Sequence, residues 1–453
     1  MANGTLTTAL NQSDAAYRLI EQLEGLAESN STFPAVVSVP FQPENALEWW
    51  SRIRFAQKFV WQDRQTEASL FGFGVADSIR RDHIHGMEAV VDECRLRLGS
   101  NQQLRWLGGF SFSDSAEVSN EWLPFGNAQF WLPRITFDGD SLHCVVLGED
   151  DLEAAKNCVL AFRKAHTPDS ITKLPKYQSR TDFPDKAGWF ANIDAAMQLF
   201  DTEVVEKIVL ARKAIYAFHE PLHPSTLALR LFANTASCYH FCFQLNPETA
   251  FLGATPERLF SRKESNLLSE VVAGTRRRGQ SEAEDQVLAE QLLASQKDQL
   301  EHDIVRKSIR QRLHKFVDSL QVDSKASILK LAHKQHLYSA VKATLKSDVT
   351  DGQLIDRLHP TPAVGGYPTE NALAEIRRLE TFDRGWYAAP VGWISADAAE
   401  FAVGIRSGLI SGNQLSVYSG AGIVPGSTAE EEWQEIEHKI RDFVSILDHD
   451  QAN

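Results

Sequence analysis

Gly420-Ala421-Gly422-Ile423-Val424-Pro425-Gly426-Ser427, followed by Glu430-Glu431-Glu432 and the run Trp433 to Lys439, is the stretch around which the rest of the chain is organised. Its glycines and proline predict a loop that offers bare backbone N–H groups to an anion, and the acidic run predicts the start of a helix. At ~100° per residue, Glu432, Glu435 and Lys439 share one helical stripe while Ile436, Ile440 and Phe443 form the neighbouring apolar one. Such a helix lies against a core with two carboxylates and an ammonium at its edge. Paired carboxylates beside a lysine suit a hard divalent cation next to a bound acid. Taken alone, the same residues also read as a solvated acidic helix after a tight loop.

The remaining sequence narrows that choice. A chain of 453 residues, 43% of them hydrophobic, buries a large core, and ten Trp and 25 Phe call for an ordered interior. A net charge of -14 argues against nucleic acid or an anionic membrane as partner. An acidic substrate then needs a local basic cluster or a metal. Cys94, Cys144, Cys158, Cys238 and Cys242 are few and odd in number, which reads as reduced thiols. Met1 to Asp14 shows no basic and apolar leader pattern, and no apolar run approaches the ~18 residues of a membrane span. A soluble, cytoplasmic protein, a monomer or weak dimer, is expected.

Read in order, residues 1–185 form a first half of mostly antiparallel β character. Helices are predicted near Leu19 to Leu26, from Asp77 to Leu98 and from Leu152 to His166. Strands are predicted around Phe59 to Gln62, Leu70 to Gly74, Trp106 to Phe112, Ala128 to Pro133 and Leu142 to Leu147. Thr167 to Lys186 reads as a linker. In residues 186–447 a helix from Gly188 to Asp201 precedes a strand at Lys207 to Arg212, and Tyr239 to Leu245 alternates with Tyr239, Phe241, Phe243 and Leu245 on one face. Phe251 to Phe260 and Leu267 to Thr275 continue the sheet. One long amphipathic helix is predicted over Glu284 to Val317, and others over Tyr338 to Leu345 and Asn371 to Leu379. Strands Ala399 to Ile410 and Gln414 to Ser419 lead into the final helix, Glu430 to Leu447. The two halves read as one structural unit.

Lys207 sits beside an apolar run, where an amine either snorkels to solvent or becomes a desolvated base. Glu257, in Gly253-Ala254-Thr255-Pro256-Glu257-Arg258, follows a strand and a turn proline; it reads as a carboxyl at a cleft mouth or a surface partner of Arg258. Together they are a candidate base and acid pair. Asp298 and Glu301 share a helical face beside His302, and with Glu432 and Glu435 they form two carboxylate pairs able to hold Mg2+. Arg406, ending the strand Phe401 to Arg406, reads either as a fork for a carboxylate or, more commonly for such a residue, as a solvent-facing arginine. The Cys238-x-His240-x-Cys242 spacing lacks a second ligand cluster and reads as core; His333 and His336 are similarly weak as ligands. Arg276-Arg277-Arg278 reads as a solvated turn, since no Gly-Lys-Ser/Thr accompanies it. Gly420-x-Gly422-x3-Gly426 resembles a dinucleotide loop only weakly, since Pro425 lies inside it and no second βαβ unit is expected beside it.

Taken together, the ordered motifs resemble the chorismate-utilising enzymes, specifically the isochorismate synthases. They are Val205 to Arg212, Phe251 to Leu259, Ala273-Gly274-Thr275-Arg276, Lys297-Asp298-Gln299-Leu300-Glu301-His302, Leu358 to Pro368, Arg384 to Trp393, and Gly420 to Lys439. Gly108 to Phe112 and Phe130 to Pro133 also look familiar. The resemblance implies an α+β fold, an α/β sandwich of two large, mostly antiparallel sheets packed together with helices outside. It implies Mg2+-dependent conversion of chorismate to isochorismate, by water addition at C2 and loss of the C4 hydroxyl. Carried over by position, Lys207 would activate water and Glu257 would protonate the departing hydroxyl. Glu301 and Glu435 would ligate Mg2+, with Asp298 and Glu432 close by. Tyr387, Arg406 and the N–H groups near Gly420 and Gly422 would hold the enolpyruvyl carboxylate, with Gly274, Thr275, His336 and Lys439 lining the site.

Within that family, Ala273 stands where aminodeoxychorismate-forming relatives carry a nucleophilic lysine, and the anthranilate branch has no lysine where Lys207 stands. Ala363 occupies a position where salicylate- and anthranilate-forming relatives have threonine. The expectation is an isochorismate synthase, leaning to quinone (menaquinone) rather than siderophore synthesis. A salicylate synthase and a non-catalytic chorismate-binding subunit are the alternatives.

Overall fold

Tyr239, Phe241 and Phe243 point into one hydrophobic layer and Cys238 and Cys242 into another, so the predicted alternation belongs to a strand buried on both faces. The structure, a computed structural model, describes residues 11–27, 32–66, 68–83, 86–113, 118–166, 173–331 and 334–449. The elements of the first third are α1 (Gln12–Ala27), β1 (Ala35–Pro40), α2 (Ala46–Arg52), β2 (Lys58–Gln62), β3 (Ser69–Arg81), α3 (Glu88–Leu98), β4 (Trp106–Phe110), β5 (Ala128–Phe137), β6 (Ser141–Val146) and α4 (Leu152–Lys164). Next come β7 (Tyr177–Phe183), α5 (Lys186–Asp201), β8 (Lys207–Phe218), α6 (Pro224–Asn234), β9 (Tyr239–Asn246), β10 (Thr249–Thr255), β11 (Arg258–Lys263), β12 (Asn266–Arg277), α7 (Glu282–Ala294) and α8 (Gln296–Leu313). The last are β13 (Val317–Val322), β14 (Ser327–Lys330), β15 (Lys334–Leu345), α9 (Asp351–Leu358), β16 (Gly366–Tyr367), α10 (Thr369–Leu379), β17 (Pro390–Ile394), β18 (Ala398–Val403), β19 (Ser407–Ser411), β20 (Gln414–Ile423) and α11 (Ala429–His449).

The named strands pair antiparallel, and the ladders run outward from β5 in two arms. One arm is β4, β17, β18, β11, β12 and β15, with β13 and β14 on its far side. The other is β3, β2, β9, β10, β19, β20 and β8, with β7 and β16 beyond. The arms face each other across an aromatic layer in which Trp131 stacks on Phe243 at 5.9 Å and Phe251 meets Trp386 at 6.2 Å. Each such side chain, fully buried, is worth ~1.5–3 kcal/mol. The outer face of the second arm carries Ile208, Leu210, Val417 and Ala421 in the same apolar layer as α5, α6 and α11. This is the α+β sandwich expected. Strands from both sides of residue 185 alternate within it, since β4 pairs β17 and β2 pairs β9.

Several local expectations are corrected. Residues 338–345 belong to β15, because Leu337, Val341, Ala343 and Leu345 turn inward while Lys342 is exposed. Asp77 to Arg81 continue β3, and the helix begins only at Glu88. The predicted long helix is two, broken at Ser295, whose side chain accepts the backbone N–H of Asp298 and caps α8. Part of the predicted linker is β7, paired with β8; Thr167 to Ile171 and Thr172 lie outside the described residues, as do Met1 to Leu10 and His333. Ala399 to Ile410 is not one strand but β18 and β19, joined by a corner at Gly404 to Arg406.

Candidate active site

The chief correction concerns Gly420 and Gly422. They lie in β20 rather than in a loop, opposite Ala211 and Val209 of β8. Val209 donates its N–H to Gly365 and Ala211 donates its own to Glu380 Oε1 at 2.8 Å. Directly opposed antiparallel residues exchange both hydrogen bonds or neither. The N–H groups of Gly420 and Gly422 therefore point to the other edge of β20, which β19 leaves open after Tyr418. The expected backbone donors are present, on a strand edge. A Cβ at Gly422 would stand 2.6 Å from Glu301 Oε1 and 3.0 Å from Lys207 Cε, so only glycine lets the acid and the amine approach this strand.

That edge opens on a cavity of about 410 Å³. Glu257, Gly274, Thr275, His336, Ala363, Tyr387, Arg406, Gly420, Gly422, Lys439, Asp298, Glu301, Glu432 and Glu435 all line it. Lys207 does not. Its side chain is 0% exposed, and its Nζ donates to Glu301 Oε1 at 2.8 Å, so Glu301 stands between the amine and the open space. The amine neither snorkels nor faces bulk water.

Each wall has a local cause. Gly274, at φ +77, forms the irregularity in the β12–β15 ladder between Ala273 and Thr275, and its missing Cβ lets Asp298 of α8 pack against it. The restart at Ser295 places Asp298 and Glu301 in the first turns of α8, facing the cavity. Arg406 holds a left-handed φ of 47°, and Ala388 across the corner holds 62°; such backbone is costly for residues with a Cβ. Gly404 pins the corner, accepting from Ala388 at 3.0 Å and donating to Ala389 at 2.8 Å. The turned Arg406 directs Nη2 to His336 Nε2 at 2.9 Å, and His336 Nδ1 meets Thr275 Oγ1 at 3.0 Å. Burial and then Arg406 hold His336 well below its ordinary value, so it is neutral and accepts from the arginine.

Glu257 is buried and pairs with neither Arg258 nor any other cation among the described residues. Burial pushes its carboxyl up to about 8, Glu270 adds to the rise, and Lys207, Lys439 and Arg406 oppose it. At neutral pH it therefore carries a proton. The acids of the opposite wall are each met by a cation: Asp298 by Arg276 at 2.7 Å, Glu432 by Lys297 at 2.9 Å and Glu435 by Lys439 at 2.6 Å. Lys439 also donates to Gly420 O at 2.9 Å. Burial raises Asp298, and burial with Glu435 raises Glu432. For Glu435 burial is the largest influence and acts upward, but Lys439, Lys297 and Arg276 together outweigh it and the net direction is down.

Among the described residues no three His, Cys, Asp or Glu side chains are grouped as a ready metal cage. The donor chemistry nevertheless fits a hard divalent cation: oxygen ligands only, from two helices, with Glu432 Oε2 buried and lacking a hydrogen-bond partner. Two further charged residues line the cavity, Lys297 and Arg276. Lys297 lies four residues before Glu301 on one helical face, a spacing that could have pointed to it. Arg276 was read as part of a solvated turn, but it lines the cavity on the bulged strand. Its neighbours, Arg277 at the end of that strand and Arg278 just after it, pair with Glu284 and Asp285. His240 stacks on Phe232 at 4.5 Å and bonds Thr235 and Gln62, a core histidine.

A sandwich of antiparallel sheets whose strand edges, corner and two acidic helix faces meet on one anion-sized cavity defines the class. The family model described as "Chorismate binding enzyme" matches residues 20–448, and the chain belongs to that family. It is 38% identical over 427 residues to "Isochorismate synthase MenF" of Escherichia coli (strain K12), covering 91% of this chain and 93% of the relative. It is 35% identical over 365 residues to "Isochorismate synthase 2, chloroplastic" of Arabidopsis thaliana, covering 77% of this chain. The chain spans less than two thirds of the plant relatives, 65% of that one and 62% of the Catharanthus roseus protein. The solved structure of MenF, the menaquinone-specific isochorismate synthase from Escherichia coli, is similar at a TM-score of 0.84 and 29% identity, covering 96% of this chain and 99% of that one. Anthranilate synthase component I from Streptococcus pneumoniae shares the fold, at a TM-score of 0.68 and 20% identity. No helix among the described residues is long and apolar enough to cross a membrane.

Proposed function

We propose that the protein is an isochorismate synthase, an isomerase that adds water at C2 of chorismate and expels the C4 hydroxyl. The observation that carries this reading is a protonated, unpaired Glu257 on the wall of one small cavity, with the buried amine of Lys207 held just behind the cavity-lining Glu301. Glu257 gives its proton to the departing hydroxyl, which leaves as water. Lys207, freed from Glu301 and acting as the free amine, takes a proton from the water that adds at C2 and becomes the ammonium. Arg406, Tyr387 and the N–H groups of Gly420 and Gly422 orient the enolpyruvyl carboxylate. His336 accepts from Arg406 and fixes its direction. Mg2+, when bound, supplies a Lewis-acid clamp for the ring carboxylate; Glu301 and Glu435, with Asp298 and Glu432, would hold it. Lys297, Arg276 and Lys439 keep those carboxylates charge-balanced otherwise.

Ala363 on the cavity wall, the likeness to relatives called MenF and the spanning of most of their length support isochorismate as the final product and menaquinone synthesis as its use. The small, odd number of cysteines supports a cytoplasmic setting. Incubation with chorismate and Mg2+ should yield isochorismate by chromatography. Salicylate without an added lyase would move the protein to the salicylate synthases, and binding without turnover would make it a chorismate-binding subunit.

A further inference from the structure

Lys58, the first residue of β2, is 1% exposed and takes no part in the site above. Its Nζ donates to Ser225 Oγ at 2.8 Å, lies 3.5 Å from Ser51 O and rests over the Trp50 ring at 4.2 Å. An ammonium has three N–H groups, and only one here has a close acceptor. Among the described residues no carboxylate is within ion-pair distance of it. A buried cation without a counter-ion is costly, and burial accordingly pushes the amine down to about 7.

The amine faces a second cavity, of about 520 Å³, between α2, the turn into β2 and the start of α6. Its lining holds Lys58, Arg54 and His223 and no Asp or Glu, although the chain carries a net charge of -14. The N-terminal end of α6, with Pro224 at its first turn, adds partial positive charge. The remaining wall is largely apolar, from Ile53, Phe55 and Pro247. The floor is fixed, since the Gln244 amide donates to Phe55 O at 3.1 Å and to Ala56 O at 2.9 Å.

We infer that this cavity is a binding site for a small organic carboxylate with an apolar body, whose carboxylate pairs with Lys58 while its body lies on Ile53, Phe55 and Pro247. The missing acid in the lining argues against an amino acid, whose ammonium would find no partner. The shared lining of this cavity and the catalytic one is nil, so the two sites are separate. The groups facing the amine are Arg54, His223 and Cys242; the Cys242 thiol is pushed up to about 12 by burial and stays neutral.

The test uses 4-iodobenzoate with the full chain. Crystals soaked in the probe should show an anomalous iodine peak in this cavity, and calorimetry should give binding that weakens at least tenfold from pH 6 to pH 9 as the amine loses its proton. Lys58→Met should weaken that binding at least tenfold while chorismate turnover is unchanged. Arg54→Met, on the rim, gives a smaller loss in the same direction and serves if the first variant does not fold. Iodine only in the catalytic cavity, iodine in neither, equal binding by both variants, or binding of inorganic phosphate in preference to the carboxylate would each overturn the inference.

Discussion

Two clusters of buried charge stand on either side of the same strands and differ in how completely they are satisfied. Glu380 and Arg384, with side chains 4% and 3% exposed, form a pair in which Arg384 Nε reaches Glu380 Oε2 at 2.8 Å. Arg384 also donates to Val364 O at 2.9 Å and Val209 O at 2.7 Å, and its guanidinium lies 4.2 Å from the Phe112 ring. Glu380 in turn receives the Ala211 N–H. The cavity cluster uses the same residue types, yet Glu432 keeps a bare oxygen, Glu257 has no cation, and Lys207 is held by one contact. A saturated cluster fixes the backbone of Val209 and Val364, both of which line the cavity. An unsaturated one leaves donors and acceptors for something that arrives.

The contrast can be broken from the structural side first. Arg384→Met strands the buried Glu380 carboxylate and should cost about 3–5 kcal/mol of stability, read from the denaturant midpoint. Lys207→Met is the converse: turnover of chorismate should fall ~10³-fold, equal to about 4 kcal/mol of barrier, with a far smaller change in the midpoint. Full turnover by this variant would show that the base is misassigned. Glu257→Gln should cost about 10²-fold. In the unmodified enzyme, activity should decline as pH rises through about 8, because Glu257 works in its protonated form and loses it there; the glutamine variant should lack that limb. Gly422→Ala, which must displace Glu301 and Lys207, should lower turnover about tenfold while the midpoint moves by less than ~1 kcal/mol. A large loss of stability there would mean that the glycine serves folding more than the site.

Much of this was legible in the residues. The alternation of Tyr239 to Leu245, the apolar stripe Ile436, Ile440 and Phe443, and the facing acids of α8 and α11 follow from periodicity, and the motif order carried the family and the cavity lining. What periodicity missed has physical causes. Ala340, Lys342 and Ala343 are good helix formers, but pairing with β12 overrides their propensity. Glycines in a tight run suggest a loop, whereas Gly420 and Gly422 are small because Tyr387 and Glu301 approach a strand. No sequence pattern places Glu301 in front of Lys207, since that order depends on where α8 restarts. The Glu380–Arg384 pair gave no signal either, because its partners are backbone carbonyls distant along the chain.

The pairing of β4 with β17 has a consequence for how the protein comes into being. Trp106 to Phe110 wait for Pro390 to Ile394, so during synthesis one edge of β4 stays unpaired while roughly 280 further residues are made, on the order of 15–60 s at ribosomal speeds of ~5–20 residues per second. Through that interval Leu107 and Phe110 have no finished sandwich to enter. A nascent chain stalled before Pro390 should therefore remain sensitive to protease and bound to chaperones, and release beyond Ile423 should end both.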